Sequence, residues 1–194
     1  MSTGAGDSLF LTNEHEKLRA TVEQFAREEV APVIGDLYER GEFPYAIVAK
    51  MGALGLFGLP FPEEYGGMGG DHIGLCLAIE ELARVDSSVA ITLSAGVALG
   101  TTPVYRFGTE AQRRQWLPQL CRGEQLAAFG LTEKSGGSDA AAVHTTARRD
   151  GGEWVINGTK ACITNSGTEI TAVVTVASVT GEPVNGRRQI SAIM

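Results

Sequence analysis

The sequence predicts an α+β chain in which an acidic helical domain, residues 1–125, precedes a neutral β domain, residues 126–194. Fourteen of the 16 leucines fall in the first 125 residues, whereas Val, Ile and Thr rise from 20 of those 125 to 21 of the last 69. Leucine suits helices and β-branched residues suit strands. Charge divides at the same place: 10 basic against 17 acidic residues, then six against six, so the whole net charge of −7 belongs to the helical part.

Leu18, Val22, Phe25, Ala26 and Val30 recur at helical spacing, with Thr12 or Asn13 placed to cap the start. Pro32 should disturb or end that helix. Ile47, Val48, Met51 and Leu54 form the apolar stripe of a second helix that stops at Gly55. Residues 58–70 are a loop rich in Gly and Pro. A third helix is expected from Asp71 to Val85, where Glu80, Glu81 and Arg84 read as a helix-surface or subunit-contact network. Residues 88–105 are nearly uncharged and predict a fourth helix buried on most sides, too short and too interrupted by Gly and Thr to span a membrane. Thr109 caps a further amphipathic helix through Trp116 towards Leu120. In the second part, Asp150-Gly151-Gly152 predicts a hairpin turn between Val143–Arg149 and Glu153–Ile156. Asn157-Gly158 is another turn, and Ile170–Val179 reads as a strand covered on both faces.

Composition excludes several classes of function. A chain of 194 residues, 43% hydrophobic and 20% charged, can bury a core. A pI near 5.0 disfavours nucleic acid and cationic membrane-surface binding, which both need excess Lys and Arg. The residues before Thr12 are small and polar and read as a frayed start, not a signal peptide. No run approaches the ~20 apolar residues of a membrane span. Cys76, Cys121 and Cys162 lie far apart, which implies reduced thiols and a cytoplasmic location. His15, His72 and His144 are equally scattered and give no metal-ligand spacing.

The segment with the most chemistry in it runs Ala128-Phe129-Gly130-Leu131-Thr132-Glu133-Lys134-Ser135-Gly136-Gly137-Ser138-Asp139. Its glycines let backbone N–H groups approach a ligand or form an anion-binding nest, and Thr132 and Ser138 add hydroxyls. Such a loop can hold a diphosphate or the polar edge of a flavin, at ~1.5–3 kcal/mol per charge-assisted hydrogen bond. Composition alone leaves a plain surface turn equally open. No Gly-Lys-Ser/Thr ends the loop and no strand–loop–helix unit surrounds it, so it is neither a Walker loop nor a Rossmann fingerprint.

Gly130-Leu131-Thr132-Glu133-x-x-Gly136-Gly137-Ser138-Asp139 resembles the first signature of the acyl-CoA dehydrogenase family, in which position 136 accepts any small residue. Asn157-Gly158-Thr159-Lys160-Ala161-Cys162-Ile163-Thr164-Asn165 resembles the family's second flavin-contacting stretch. Upstream, Leu56-Phe57-Gly58-Leu59-Pro60-x-Pro62-Glu63-Glu64-Tyr65-Gly66-Gly67 and Gly108-Thr109-Glu110-x-Gln112 are family-like and in the right order. The resemblance covers nearly the whole chain. It implies a helical-bundle N-terminal domain followed by an incomplete β-barrel-like middle domain, with a C-terminal helical domain absent.

By this resemblance FAD is the cofactor, contacted by Phe129, Gly130, Leu131, Thr132, Gly137, Ser138, Cys162, Ile163 and Thr164. Phe129, Leu131 and Thr132 would line the isoalloxazine ring, with Thr132 on its pyrimidine side, and Thr164 would bond near flavin N5. Ser138 would sit by the diphosphate and also touch the thioester end of the substrate. Ser94 and Leu99 would line the acyl-chain pocket, although plain helix core is an equal reading for that segment. Cys162 departs from the family, which places an aromatic residue there; a thiol covers less of a flavin ring, and packing is the commoner fate of a buried cysteine. Lys134 replaces a frequent proline.

The implied reaction is α,β-dehydrogenation of an acyl-CoA to the trans-2-enoyl-CoA, as part of fatty acid metabolism. Its carboxylate base comes from the absent domain, so no catalytic residue is named. An electron-transferring flavoprotein is the implied electron acceptor, and the full-length form would be a homo-oligomer, dimer or tetramer. The alternatives are an oxygen-using relative of the acyl-CoA oxidase or nitroalkane oxidase type, and a truncated, non-catalytic assembly module.

Overall fold

The computed structural model describes residues 11–194; the start expected to be frayed lies outside the described residues. Helices run as far as Cys121 and strands follow from Leu126. The chain forms two compact units, the first reaching Ser94 and taking in Cys121–Gly123, the second comprising Ala95–Leu120 and Glu124–Met194.

In the first unit, α1 (Asn13–Phe25) starts at Thr12, whose hydroxyl accepts the His15 N–H while His15 Nδ1 accepts the Thr12 N–H. Two otherwise unpaired helix-end groups are thereby satisfied. Pro32 disturbs the helix without ending it. A π-helical turn, Ala26–Val30, leads into α2 (Ala31–Arg40), which closes at Gly41 in the left-handed region, φ +64°. Proline lacks an N–H and its ring crowds the carbonyl four residues back; a widened turn relieves both. The same device recurs at Pro103: α5 (Ser87–Ser94) passes through a π turn, Ala95–Thr101, into α6 (Thr102–Phe107). There the Thr101 and Thr102 hydroxyls donate to the carbonyls of Gly96 and Val97, each at 2.9 Å.

Continued in this way, Ser87–Phe107 is 21 residues long and, by length and composition, apolar enough to cross a membrane. The sequence expectation that this stretch is too short and too interrupted is therefore corrected: Gly and Thr are carried through helical turns and the helix extends to Phe107. More than half of it is buried within the protein, the burial of a core helix.

Helix α3 (Tyr45–Ala53) ends before Gly55, φ +75°. The following Gly- and Pro-rich loop packs inward, burying Leu56, Phe57, Phe61 and Tyr65. Asp71 caps α4 (His72–Ala83) by accepting the Gly74 N–H at 2.9 Å, and α4 packs on α1 and α5. Arg19 and Arg84 both donate to buried Glu81, at 2.8 and 3.1 Å, and Arg84 also reaches Glu80. Glu80, Glu81 and Arg84 thus form a charged helix network.

In the second unit, α7 (Glu110–Cys121) begins with reciprocal bonds between Thr109 and Gln112. Among the described residues the sheet has five strands. β1 (Leu126–Gly130) runs parallel to β4 (Thr171–Val184). β2 (Thr146–Asp150) and β3 (Glu153–Asn157) form the expected hairpin across Gly151-Gly152, and β2 meets β4 at Thr146–Val179. β5 (Arg187–Ile193) returns antiparallel to β4 through Asn185-Gly186, both at positive φ. Gly100 of the π turn lies against β1, where a Cβ would stand 2.3 Å from the Ala127 carbonyl oxygen. β4 was expected to be covered on both faces. Instead Val173, Thr175 and Ala177 are buried while the residues between them are half-exposed.

Candidate functional site

The site is built where β1 and β3 run out. Leu126, Ala127 and Ala128 are buried and fix β1, so the chain leaves the sheet at Gly130 from a rigid base. Glu133 and Gly136 then exchange backbone hydrogen bonds, at 2.9 and 3.1 Å, closing a tight turn with Lys134 and Ser135 at its tip. The Gly136 N–H is spent within the loop. Gly137 and Ser138 remain exposed, and Asp139 turns to cap a short 3-10 turn, Ala140–Ala142, by accepting the Ala141 N–H.

The second segment leaves β3 at Asn157-Gly158. A Cβ on Gly158 would lie 2.4 Å from Thr145 Oγ1, so only glycine lets the chain cross Thr145. Beyond it, the Ala161 N–H donates to the Thr132 carbonyl at 2.8 Å, and Lys160 Nζ donates to the Leu131 carbonyl at 3.0 Å. Gly130 lies against Lys160 and Ile163, at 3.3 and 3.4 Å from where its Cβ would be. Two stretches some thirty residues apart in sequence are thereby brought together.

Between them sits Glu133, buried together with the Lys160 ammonium group, 2.8 Å away. The Thr145 hydroxyl and N–H donate to Glu133 Oε1, at 2.6 and 2.8 Å, and the His144 N–H donates to Oε2 at 2.7 Å. Burial opposes the carboxylate's charge. The Lys160 ammonium and the Thr145 and His144 donors more than offset it and hold Glu133 far below the usual carboxylate range.

Phe129, Leu131, Thr132, Ile163 and Thr164 are half-exposed around this core. Cys162 is exposed and occupies the left-handed region, φ +54°. The hydroxyls of Thr132, Ser138 and Thr164 have no hydrogen-bond partner among the described residues. This set fits a flavin: an apolar edge for a flat ring, beside hydroxyls free to donate to its polar rim. Ser94 lies half-buried at the end of α5 in the first unit, and Leu99 is exposed on the π turn of the second. No group of three metal-ligating side chains occurs among the described residues.

Glu133, Lys160 and Thr145 were not assigned a role from sequence. Glu133 and Lys160 stand 27 positions apart on different segments, a separation at which no local spacing rule operates. Their one signal is the placement of opposite charges in otherwise Gly-rich and apolar stretches.

Residues 12–124 match the family model for the acyl-CoA dehydrogenase N-terminal domain, and residues 128–194 match that for the middle domain. The probable acyl-CoA dehydrogenase YngJ of Bacillus subtilis (strain 168) is 46% identical over 184 residues, 95% of this chain and 48% of that protein. Among solved structures, an acyl-CoA dehydrogenase complexed with FAD from Bacillus anthracis superposes with a TM-score of 0.83 at 38% identity, over 94% of this chain and 30% of the other. A chain from a structure of the electron transferring flavoprotein of Acidaminococcus fermentans also gives 0.83, at 39% identity, over 90% of this chain and 45% of the other. The chain belongs to the acyl-CoA dehydrogenase family, and it spans about half the length of the curated relatives it matches.

Proposed function

We propose that this chain is the N-terminal part of an FAD-dependent acyl-CoA dehydrogenase, which converts an acyl-CoA thioester to the trans-2-enoyl-CoA. The observation that carries this reading is the meeting of 130–132 with 160–163, in which Gly130 lies against Ile163 and the Ala161 N–H donates to the Thr132 carbonyl, leaving the Thr132 hydroxyl without a partner among the described residues. FAD, the family's cofactor, supplies the hydride acceptor when bound. Phe129, Gly130, Leu131 and Ile163 give the ring its apolar seat, Thr132 and Thr164 donate to its polar rim, and Gly137 leaves room beside Thr132. Ser138 serves the diphosphate and the thioester end. Cys162 covers the ring less fully than an aromatic residue does. Ser94 and Leu99 line the acyl chain's path.

No base is assigned within this chain. Glu133, the buried carboxylate of the site, has both oxygens engaged by donors and is held ionised, so it is a weak proton acceptor. By the family resemblance, the α-proton would be taken by a carboxylate from the part of the relatives' length that this chain does not span. An electron-transferring flavoprotein as acceptor, supported by the Acidaminococcus likeness, and a dimer or tetramer of the full-length form complete the proposal. Three free thiols support a reducing, cytoplasmic setting for its role in fatty acid metabolism.

The purified chain, loaded with FAD, should be yellow, should stay yellow when an acyl-CoA is added without oxygen, and should not then reduce an artificial electron acceptor. Bleaching of the flavin would place the base inside this chain, and failure to take up FAD would sink the flavin reading. Bleaching followed by rapid recovery in air would point to the oxygen-using alternative.

A further inference from the structure

We infer that Glu133 and Lys160 are positioning residues that set the register between the two flavin-contacting segments. The inference rests on the flavin reading above and adds to it a role for two side chains that touch neither ring nor substrate. Lys160 uses its ammonium group twice, on the Leu131 carbonyl of the first segment and on the Glu133 carboxylate. Glu133 in turn takes the N–H groups of His144 and Thr145 and the Thr145 hydroxyl. Thr145 is the residue that Gly158 passes over at the head of the second segment. One buried ion pair thus ties together the first loop, the approach to β2 and the second loop, while among the described residues the direct backbone link between the loops is the Ala161–Thr132 hydrogen bond.

Among the described residues, the Ala161–Thr132 hydrogen bond, the packing of Gly130 on Ile163 and this ion pair are what hold the Thr132 and Thr164 segments together. Strand pairing stops at Gly130 on one side and at Asn157 on the other. A ligand that must bond both threonines at once needs their separation set in advance, because a misplaced donor forfeits the bond while still losing its water.

The test uses the whole chain and the double variant Glu133→Gln with Lys160→Met, which removes both charges together and so avoids a lone buried charge. Amide hydrogen exchange should show the Ala161 N–H losing protection while Val173 and Val174 in β4 keep theirs. FAD affinity should fall about tenfold, the size of one hydrogen bond misplaced. Lys160→Arg, which keeps a cation, should retain much of the Ala161 protection. Unchanged Ala161 protection in the double variant would overturn the inference whether or not FAD binds. Lost protection with unchanged FAD affinity would overturn the positioning role. If even the unaltered chain takes no FAD while Ala161 is freed in the variant, the flavin reading fails and the tie between the segments stands.

Discussion

Replacing Lys160 alone by methionine is expected to cost about 3–5 kcal/mol of unfolding free energy, because Glu133 is left as a buried charge without its cation. Both side chains are nearly inaccessible, at 6% and 7% exposure, so water cannot take over the lost interaction. The sign of the pH dependence follows from the direction of the shift. Glu133 binds its proton less readily in the folded chain than at its ordinary value of 4.5. Its stabilisation is therefore fully present above pH 4.5 and is lost as pH falls towards the folded value. Without Lys160, burial counts for more and Glu133 takes up a proton more easily. The deficit of the variant against the parent should then shrink on acidification below pH 4.5. Urea unfolding at pH 7 and at pH 3.5 measures both quantities; a deficit that stays constant would contradict the assignment.

Phe57→Ala should be comparably costly, about 3–5 kcal/mol, for a different reason. Phe57 is 1% exposed in the first unit, and a Cβ on Gly123 would meet its ring at 2.7 Å. Gly52 is equally tight, since a Cβ there would stand 2.1 Å from the Arg122 carbonyl oxygen. The ring fills a space that the backbone of 121–123 closes, and alanine leaves a cavity that those backbones cannot collapse to fill. A urea midpoint shift should register the whole loss. The FAD affinity of the folded fraction should be untouched, which separates this variant from any at Glu133 or Lys160.

These two residues also show what was legible beforehand. Phe57 belongs to a family-like stretch, and its glycines and prolines told of a loop; that the loop packs inward, burying Phe57, Phe61 and Tyr65, needed the fold. The helix starts at Thr12, Asp71 and Thr109 could be read because a cap is a local affair of three or four residues. The hairpin at Gly151-Gly152 was legible for the same reason. Pro32 was harder: the sequence shows the obstacle, but a π turn that carries a helix past it leaves no residue signature beyond the proline itself. The same applies at Pro103, where the helix runs on through Gly96 and Gly100 and so reaches a length that reading Gly and Thr as breaks had denied it.

The flavin segments were legible as a resemblance, residue by residue, and their convergence needed the fold. Parallel pairing of β1 with β4 and the β2–β3 hairpin bring Gly130 to Ile163, and nothing local in either segment specifies that meeting. The Glu133–Lys160 pair belongs to the same class. Long-range ion pairs are set by topology, and topology is what a single sequence states least directly.

The central claim, that 129–138 and 162–164 together seat FAD, is tested most directly by titrating FAD into the isotope-labelled chain and following amide chemical shifts. The expected result is a cluster of changes at Leu131, Thr132, Gly137, Ser138, Cys162 and Thr164, with α1 and α4 silent. Changes confined to one segment, changes centred elsewhere, or no changes at saturating FAD would contradict the account.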